Sequence, residues 1–156
     1  MKRRCRTVTL GGTFDRIHRG HQALISKAFE VGECVLIGVT TDEFAARLGK
    51  NPDHRFQSRV ESLMAYLDKT FPGRDYQIVP LNDYFAPETY CGDVETVVVS
   101  PETAQRADEF NEKRRRLGIK PLKVVIIEKV LAQDGKPVST TRVRLGEIDE
   151  EGHLLH

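Results

Sequence analysis

The sequence predicts an α/β fold, a Rossmann-like, doubly wound parallel sheet of about five strands with helices on both faces. Short apolar runs rich in β-branched residues alternate with amphipathic stretches of helical length along the whole chain. One run, residues 34–39, is continuously apolar, which is typical of a strand covered on both faces. Strands that alternate with helices in this way form right-handed crossovers, so the sheet is expected to be parallel.

The predicted elements follow one another with short connections. Strands are predicted at residues 5–10, 34–39, 76–79, 94–99 and 122–127. Helices are predicted at about residues 20–31, around 44–48, around the apolar stripe at 60–67, from about 100 to 117, and around 142–144 after a cap at 139–141. Gly32 is expected to end the first helix in the left-handed conformation, and Pro80 is expected to stop the third strand. The aromatic residues of the loop at 81–93 are expected to cover the core.

Composition restricts the class of protein. The 156 residues suit a single domain spanning 1–156, and 39% are hydrophobic and 30% charged. A net charge of +1 argues against a nucleic-acid partner. No run approaches the roughly 18–20 apolar residues that span a bilayer, so no membrane partner and a cytoplasmic location are expected. The three cysteines are expected to be reduced thiols, and the sequence leaves a homo-oligomer open.

A glycine-rich string at 11–21 lies at the first strand-to-helix junction. Paired glycines allow close approach to the backbone, and the first N–H groups of the helix favour an anion. His18 and His21 add donors on one side of the first helical turn, so this junction is predicted to bind nucleotide phosphates. Two histidines that merely cap the helix are the alternative. Asp15 is expected to orient the turn rather than to contact a ligand.

Basic residues cluster at two further places. The loop at 49–55 follows the carboxyl end of the second strand, where open α/β sheets bind ligands, and it contains Lys50. Arg47 or Arg55 could fill the same role as Lys50, and a solvated loop lysine without a ligand is the further alternative. The cluster at 113–116 is expected to be a solvated last turn of its helix, with a phosphate-facing member as the alternative.

The string Gly-Gly-Thr-Phe-Asp-x-x-His-x-Gly-His resembles the T/H-x-G-H signature of the nucleotidyltransferase superfamily. A hydroxyl-rich helix start followed by arginines, at residues 138–144, resembles the second signature of that superfamily. Four further stretches, at 37–43, 78–83, 99–103 and 134–137, resemble the archaeal type of phosphopantetheine adenylyltransferase. The resemblance covers about residues 5–149. The bacterial enzymes have an Arg-Gly-x-Arg motif after the fourth strand, where this chain has Ser-Pro-Glu-Thr at 100–103.

The resemblance implies transfer of AMP from ATP to 4'-phosphopantetheine, which gives dephospho-coenzyme A and pyrophosphate. Mg²⁺ is expected as the counter-ion of ATP, held mostly by phosphates and water, with no protein metal site. The resemblance implies catalytic roles for His18, His21, Lys50 and Arg144. It implies ATP and phosphate contacts at Gly11, Gly12, Thr13, Phe14, His21, Ser139, Thr140, Thr141 and Arg142. Thr13 and Lys50 are the implied contacts to the acceptor substrate.

Alternatives remain at this point. The signatures indicate nucleotide transfer but do not identify the acceptor. Another cytidylyl- or adenylyltransferase of the same superfamily therefore fits them as well as a phosphopantetheine adenylyltransferase does. A non-catalytic nucleotide-binding module is the alternative from another class. For Ser139, Thr140 and Thr141, simple capping of the helix is the alternative to phosphate binding.

Overall fold

The computed structural model describes residues 6–90 and 93–155 and contains one all-parallel sheet. Its strands are β1 (Thr7–Gly12), β2 (Cys34–Thr40), β3 (Asp75–Leu81), β4 (Val94–Val99) and β5 (Lys123–Ile126). The order across the sheet is β3-β2-β1-β4-β5, with parallel pairing throughout. The direction of winding therefore reverses next to β1. The carboxyl ends of β1 and β4 flank the crevice where such sheets bind ligands.

Helices cover both faces of the sheet, which confirms the predicted fold class. They are α1 (Arg19–Val31), α2 (Asp42–Arg47), α3 (Phe56–Thr70), α4 (Ala104–Arg116) and α5 (Thr140–Arg144), with a 3-10 turn at Pro87–Tyr90. One apolar core contains side chains of α1 and α3, and a second contains side chains of α2 and α4. Among the described residues, no helix is long and apolar enough to cross a membrane.

Two local predictions about backbone conformation are wrong. Pro80 lies inside β3 instead of stopping it, opposite Val39. This is tolerated because β3 is at the edge of the sheet, where a missing N–H leaves no partner unsatisfied. Gly32 has an extended φ of −133°, not a left-handed one. Glycine is needed there for space, since an added Cβ would lie 2.2 Å from Cγ2 of Val8.

The prediction that the cluster at 113–116 is solvated is wrong for one residue. Arg114 is 1% exposed and donates hydrogen bonds to the carbonyl oxygens of Lys120, Thr89 and Val94. It occupies the same face of α4 as the buried Phe110, so it fastens the helix to the loop before β4. The other three members of the cluster are exposed.

The remaining expectations about the chain are partly met. Phe85 and Tyr90 pack on Phe110, so these two loop aromatics do cover the core.

Cys34 is in a disulfide, which overturns the expectation of a reduced thiol at this position. The other two cysteines, at 5 and 91, lie outside the described residues. The C-terminal segment packs back on α1, where the N–H of Arg19 donates to the carbonyl oxygen of Glu150 at 2.7 Å.

Candidate active site

The turn between β1 and α1 takes its shape from Phe14. This residue has a φ of 54°, in the left-handed region that bulky residues rarely occupy. Its side chain is 1% exposed, and its ring centroid lies 4.9 Å from that of His21. Packing therefore holds a strained backbone that turns the chain from strand to helix. Because the ring of Phe14 lies in the core, any contact of this residue with a phosphate falls to its backbone.

His18 and His21 stack on one side of the first turn of α1, as their spacing predicted. Their ring centroids are 3.8 Å apart and their planes are inclined by 14°. His18 is also the N-cap of α1, since its Nδ1 accepts hydrogen bonds from the N–H groups of Gly20 and His21 at 3.1 and 3.3 Å. An accepting Nδ1 carries no proton, so the neutral ring has its proton on Nε2. The capping role therefore leaves one donor of His18 for a ligand.

His21 has two contacts that require different tautomers. Its Nδ1 lies 3.0 Å from the carbonyl oxygen of Arg16, which needs a proton on Nδ1. The same atom lies 3.4 Å from the backbone nitrogen of His18, which needs a lone pair there. With Nδ1 unprotonated, Nε2 of the neutral ring is a donor. With Nδ1 protonated, Nε2 becomes a donor only when the ring takes up a second proton.

Both imidazoles are neutral at pH 7. Burial lowers the pKa of His18 to about 4. Burial, together with the charges of His18 and Lys50, lowers the pKa of His21 to about 3. A bound phosphate would act in the opposite direction, because a nearby negative charge favours the protonated ring. The pair is therefore suited to respond to an anion.

Asp15 anchors the basic loop, residues 49–55, to the first motif, which is the glycine-rich string at 11–21. Its carboxylate accepts hydrogen bonds from the N–H groups of Asp53 and His54 at 3.0 and 2.9 Å, and Oδ1 lies 3.1 Å from Nδ1 of His54. Although burial opposes it, these hydrogen bonds lower the pKa of Asp15. The sequence predicted that Asp15 orients the turn of the first motif, whereas its carboxylate positions the loop at 49–55. It brings the basic loop over the turn that carries the histidines.

Lys50 is the loop cation that reaches the first motif. Its Nζ donates to Oγ1 of Thr13 at 3.4 Å. Both residues line a cavity of about 180 Å³ at the carboxyl ends of β1, β2 and β4, and Gly11 and Gly12 line it too. Arg47 instead donates to the carbonyl oxygen of Asn82, and Arg55 precedes α3. Lys50 thus lies against Thr13 of the first motif, and its role in binding or catalysis stays a prediction.

The second motif, residues 138–144, contains the capped helix α5. Oγ of Ser139 accepts a hydrogen bond from the N–H of Arg142 at 3.2 Å, and Thr140 and Thr141 form the first turn of α5. Hydrogen bonds to Asp134 and Glu147 raise the pKa of Arg142. The guanidinium of Arg142 therefore stabilises the loop around α5, and its charge is paired with these two carboxylates.

Asp53 connects the two motifs. Its Oδ2 lies 3.2 Å from Nη2 of Arg16 and 3.2 Å from Nε of Arg144. The first motif, the basic loop and α5 are thereby joined through one carboxylate. The exposed surroundings make each ion pair weak, but the shared partner places Arg144 beside the turn that carries the histidines.

Sequence reasoning missed Arg59, the buried centre of the site's framework. It is 1% exposed, and its guanidinium donates to the carbonyl oxygens of Thr13, Thr40 and His54 at 2.7, 2.8 and 2.9 Å. It also pairs with Asp42 at 2.9 Å. One side chain thus links the first motif, the end of β2, the basic loop and α2. A signal was present, since Arg59 lies four residues before the buried Leu63 on α3.

Comparison with known proteins gives the family. Residues 9–146 match the family described as cytidylyltransferase-like. A phosphopantetheine adenylyltransferase from Methanothermobacter thermautotrophicus is 44% identical, over 99% of this chain and 93% of the relative. The chain belongs to the phosphopantetheine adenylyltransferase group of the cytidylyltransferase-like family. The namesake from Methanopyrus kandleri is also 44% identical, over 94% of this chain and 93% of its own.

The fold is shared with a solved structure. A crystal structure of a protein with unknown function from Archaeoglobus fulgidus superposes with a TM-score of 0.71 at 31% identity. It covers 85% of this chain and 99% of its own. Both signature motifs, at 11–21 and 138–144, lie within the range that matches the cytidylyltransferase-like family. The matched range also includes the basic loop and Arg59.

Proposed function

We propose that this protein transfers the adenylyl group of ATP to 4'-phosphopantetheine, forming dephospho-coenzyme A and pyrophosphate. The observation that carries the proposal is the match to phosphopantetheine adenylyltransferases over 99% of the chain, at 44% identity. The stacked histidines, the cation of Lys50 and the capped start of α5 are the residue types that this reaction needs. A cytoplasmic location belongs to the same proposal.

The chemistry requires no general base. The nucleophile is an oxygen of a phosphate group that is already ionised at neutral pH, so catalysis rests on positioning and on stabilising negative charge. The site offers neutral imidazoles and cations for this purpose, and its carboxylates, Asp15 and Asp53, are engaged by backbone N–H groups and arginines. The arrangement therefore suits attack of one anion on another without proton abstraction.

The histidines are assigned to the α-phosphate. His18 donates through Nε2 while neutral, because its Nδ1 is occupied by the helix cap. His21 is the stronger candidate for stabilising the transition state, and Gly11 and Gly12 allow the phosphate to approach the turn. As charge builds up on the α-phosphate, the pKa of His21 rises from its value of about 3 in the free protein.

The β- and γ-phosphates are assigned to the second motif. Ser139, Thr140 and Thr141 offer hydroxyls and N–H groups there, and Arg144 adds charge. Exchange of Asp53 for a phosphate would release Arg144 towards the nucleotide, since their ion pair is exposed and weak. Mg²⁺ is expected to arrive with ATP and to neutralise the polyphosphate, held by phosphates and water. Thr13 and Lys50 are assigned to the acceptor.

The nearest rival is a cytidylyl- or adenylyltransferase with another acceptor. Pyrophosphate release should be measured with ATP and CTP, each combined with 4'-phosphopantetheine, glycerol 3-phosphate or nicotinamide mononucleotide. Release that requires both ATP and 4'-phosphopantetheine supports the proposal and excludes a non-catalytic module. Turnover with a different pair of substrates, or no turnover with any pair, contradicts the proposal.

A further inference from the structure

The cavity beside the first motif has an apolar wall and a basic rim. Leu24, Phe44, Leu48, Leu81 and Val99 contribute apolar surface to it. The polar residues at this cavity include Thr13, Lys50, Tyr84, Thr103 and Arg106. Arg106 lies on α4, far in sequence from both signature motifs. A ligand with a charged end and an uncharged arm fits such a lining better than a uniformly polar one does.

Lys50 and Arg106 place two cations on this rim, since both line the same cavity. Burial lowers the pKa of Lys50, and the charge of Arg106 lowers it further. Among the described residues no carboxylate forms an ion pair with Lys50, and Arg106 has Glu109 only at 4.0 Å. Two like charges repel each other, so an anion between them would relieve this repulsion. The rim therefore has an excess of positive charge that the protein itself does not neutralise.

Tyr84 holds the guanidinium of Arg106 in place. Cζ of Arg106 lies 3.4 Å from the centroid of the Tyr84 ring. The Tyr84 ring in turn meets Phe44 edge to face, with centroids 5.3 Å apart. A planar guanidinium on an aromatic face loses little further freedom when its N–H groups bind a phosphate. The exposed aromatic residue thus serves the cavity rather than the core.

We propose that Lys50 and Arg106, with the hydroxyl of Thr13, bind the phosphomonoester group of the acceptor substrate, and that Tyr84 positions Arg106. This inference rests on the proposed function and adds Arg106 and Tyr84 to it. A phosphomonoester is close to a dianion at neutral pH, so it needs two cations. Lys50 contacts Thr13 in the turn that leads to His21, so this phosphate would lie beside the position proposed for the α-phosphate that it attacks.

Steady-state kinetics of Arg106→Gln tests the assignment. We expect the KM for 4'-phosphopantetheine to rise about 10- to 100-fold, and the KM for ATP to change less than about 3-fold. Arg115→Gln, on the same helix and paired with Glu112 at the surface, is the matched control and should leave both constants unchanged. A larger rise in the KM for ATP, or no change in either constant, overturns the subsite.

Tyr84 is tested by its ring. Tyr84→Leu removes the aromatic face and should raise the KM for 4'-phosphopantetheine about 3-fold, whereas Tyr84→Phe should retain the wild-type value. A positioning role predicts this rescue, and equal effects of the two variants overturn it.

Calorimetry separates this inference from the proposed function. Binding of 4'-phosphopantetheine and of pantetheine is measured without ATP for the wild-type protein and Arg106→Gln. The subsite predicts that the phosphorylated ligand binds more tightly, and that Arg106→Gln abolishes most of the difference. If the wild-type protein shows no turnover, the proposed function fails, and these isotherms still decide the subsite. No preference for the phosphorylated ligand, or a preference that the variant keeps, overturns it.

Discussion

The guanidinium of Arg59 donates to the carbonyl oxygen of Thr13 at 2.7 Å, which fastens helix α3 to the turn that carries the histidines. The same guanidinium donates to Thr40 at the end of β2 and pairs with Asp42. A buried cation is stable only when its donors are occupied, so the framework and the charge depend on each other. The geometry of the proposed phosphate site is thus set by a buried residue that belongs to neither signature motif.

Replacing Arg59 should destabilise the protein. Arg59→Met leaves three carbonyl oxygens without this donor and removes the cationic partner of Asp42, whose carboxylate keeps only the N–H of Phe56, and we expect the free energy of unfolding to fall by about 3 kcal/mol. Chemical denaturation followed by circular dichroism measures this loss. Lys69→Met, an exposed cation on the same helix, is the control and should change stability by less than about 0.5 kcal/mol. Similar values for the two variants would refute the framework role.

Acid should weaken the fold through the two histidines. Their pKa values are lowered in the folded protein, to about 4 for His18 and about 3 for His21, from the usual 6.5. Between pH 6.5 and about 4 the unfolded chain therefore binds protons that the folded protein does not, and stability falls as the pH falls. Asp15 and Asp42, with lowered pKa values, add to the loss at still lower pH.

The variant His21→Asn isolates one of these protons. Its free energy of unfolding should decline about 1 kcal/mol less per pH unit than that of the wild-type protein between pH 6 and 4. Denaturation curves at a series of pH values provide the two slopes. Parallel slopes would mean that His21 titrates normally in the folded protein.

The second motif should discriminate between the two substrates. The double variant Ser139→Ala with Thr140→Ala removes two hydroxyls from the start of α5 and should weaken ATP binding more than acceptor binding, by calorimetry. Ser139 also caps α5, at a cost of about 1 kcal/mol when lost, so Thr140→Ala alone separates binding from capping. An equal loss of affinity for ATP and 4'-phosphopantetheine is the outcome that counts against the assignment.

Much of the fold could be predicted from local pattern. The short apolar runs predicted the five strands, and the amphipathic stretches predicted the helices between them. Errors arose where tertiary context decides: Pro80 is accepted because β3 is an edge strand, and Gly32 is needed because Val8 lies against it. Neither fact can be read from residues that are neighbours in sequence.

The site shows the same division. The histidine spacing predicted a shared helical face, and the rings do stack. The spacing of Arg59 from Leu63 and Leu67 places it on the buried face of α3, but an arginine on such a face reads as a break in the pattern. Arg106 and Tyr84 meet only because β4 and its helix return the chain to the cavity. Their contact depends on strand order, which the sequence pattern does not encode.

The most direct measurement is pyrophosphate release from ATP and 4'-phosphopantetheine by the wild-type protein and His21→Ala, side by side at saturating substrates. Adenylyl transfer with His21 as a transition-state donor predicts turnover by the wild-type protein and a kcat about 10²- to 10³-fold lower in the variant. Thermal unfolding by circular dichroism should show that the variant remains folded. No release by the wild-type protein would rule out this activity, and full activity in a folded His21→Ala would rule out the role of His21.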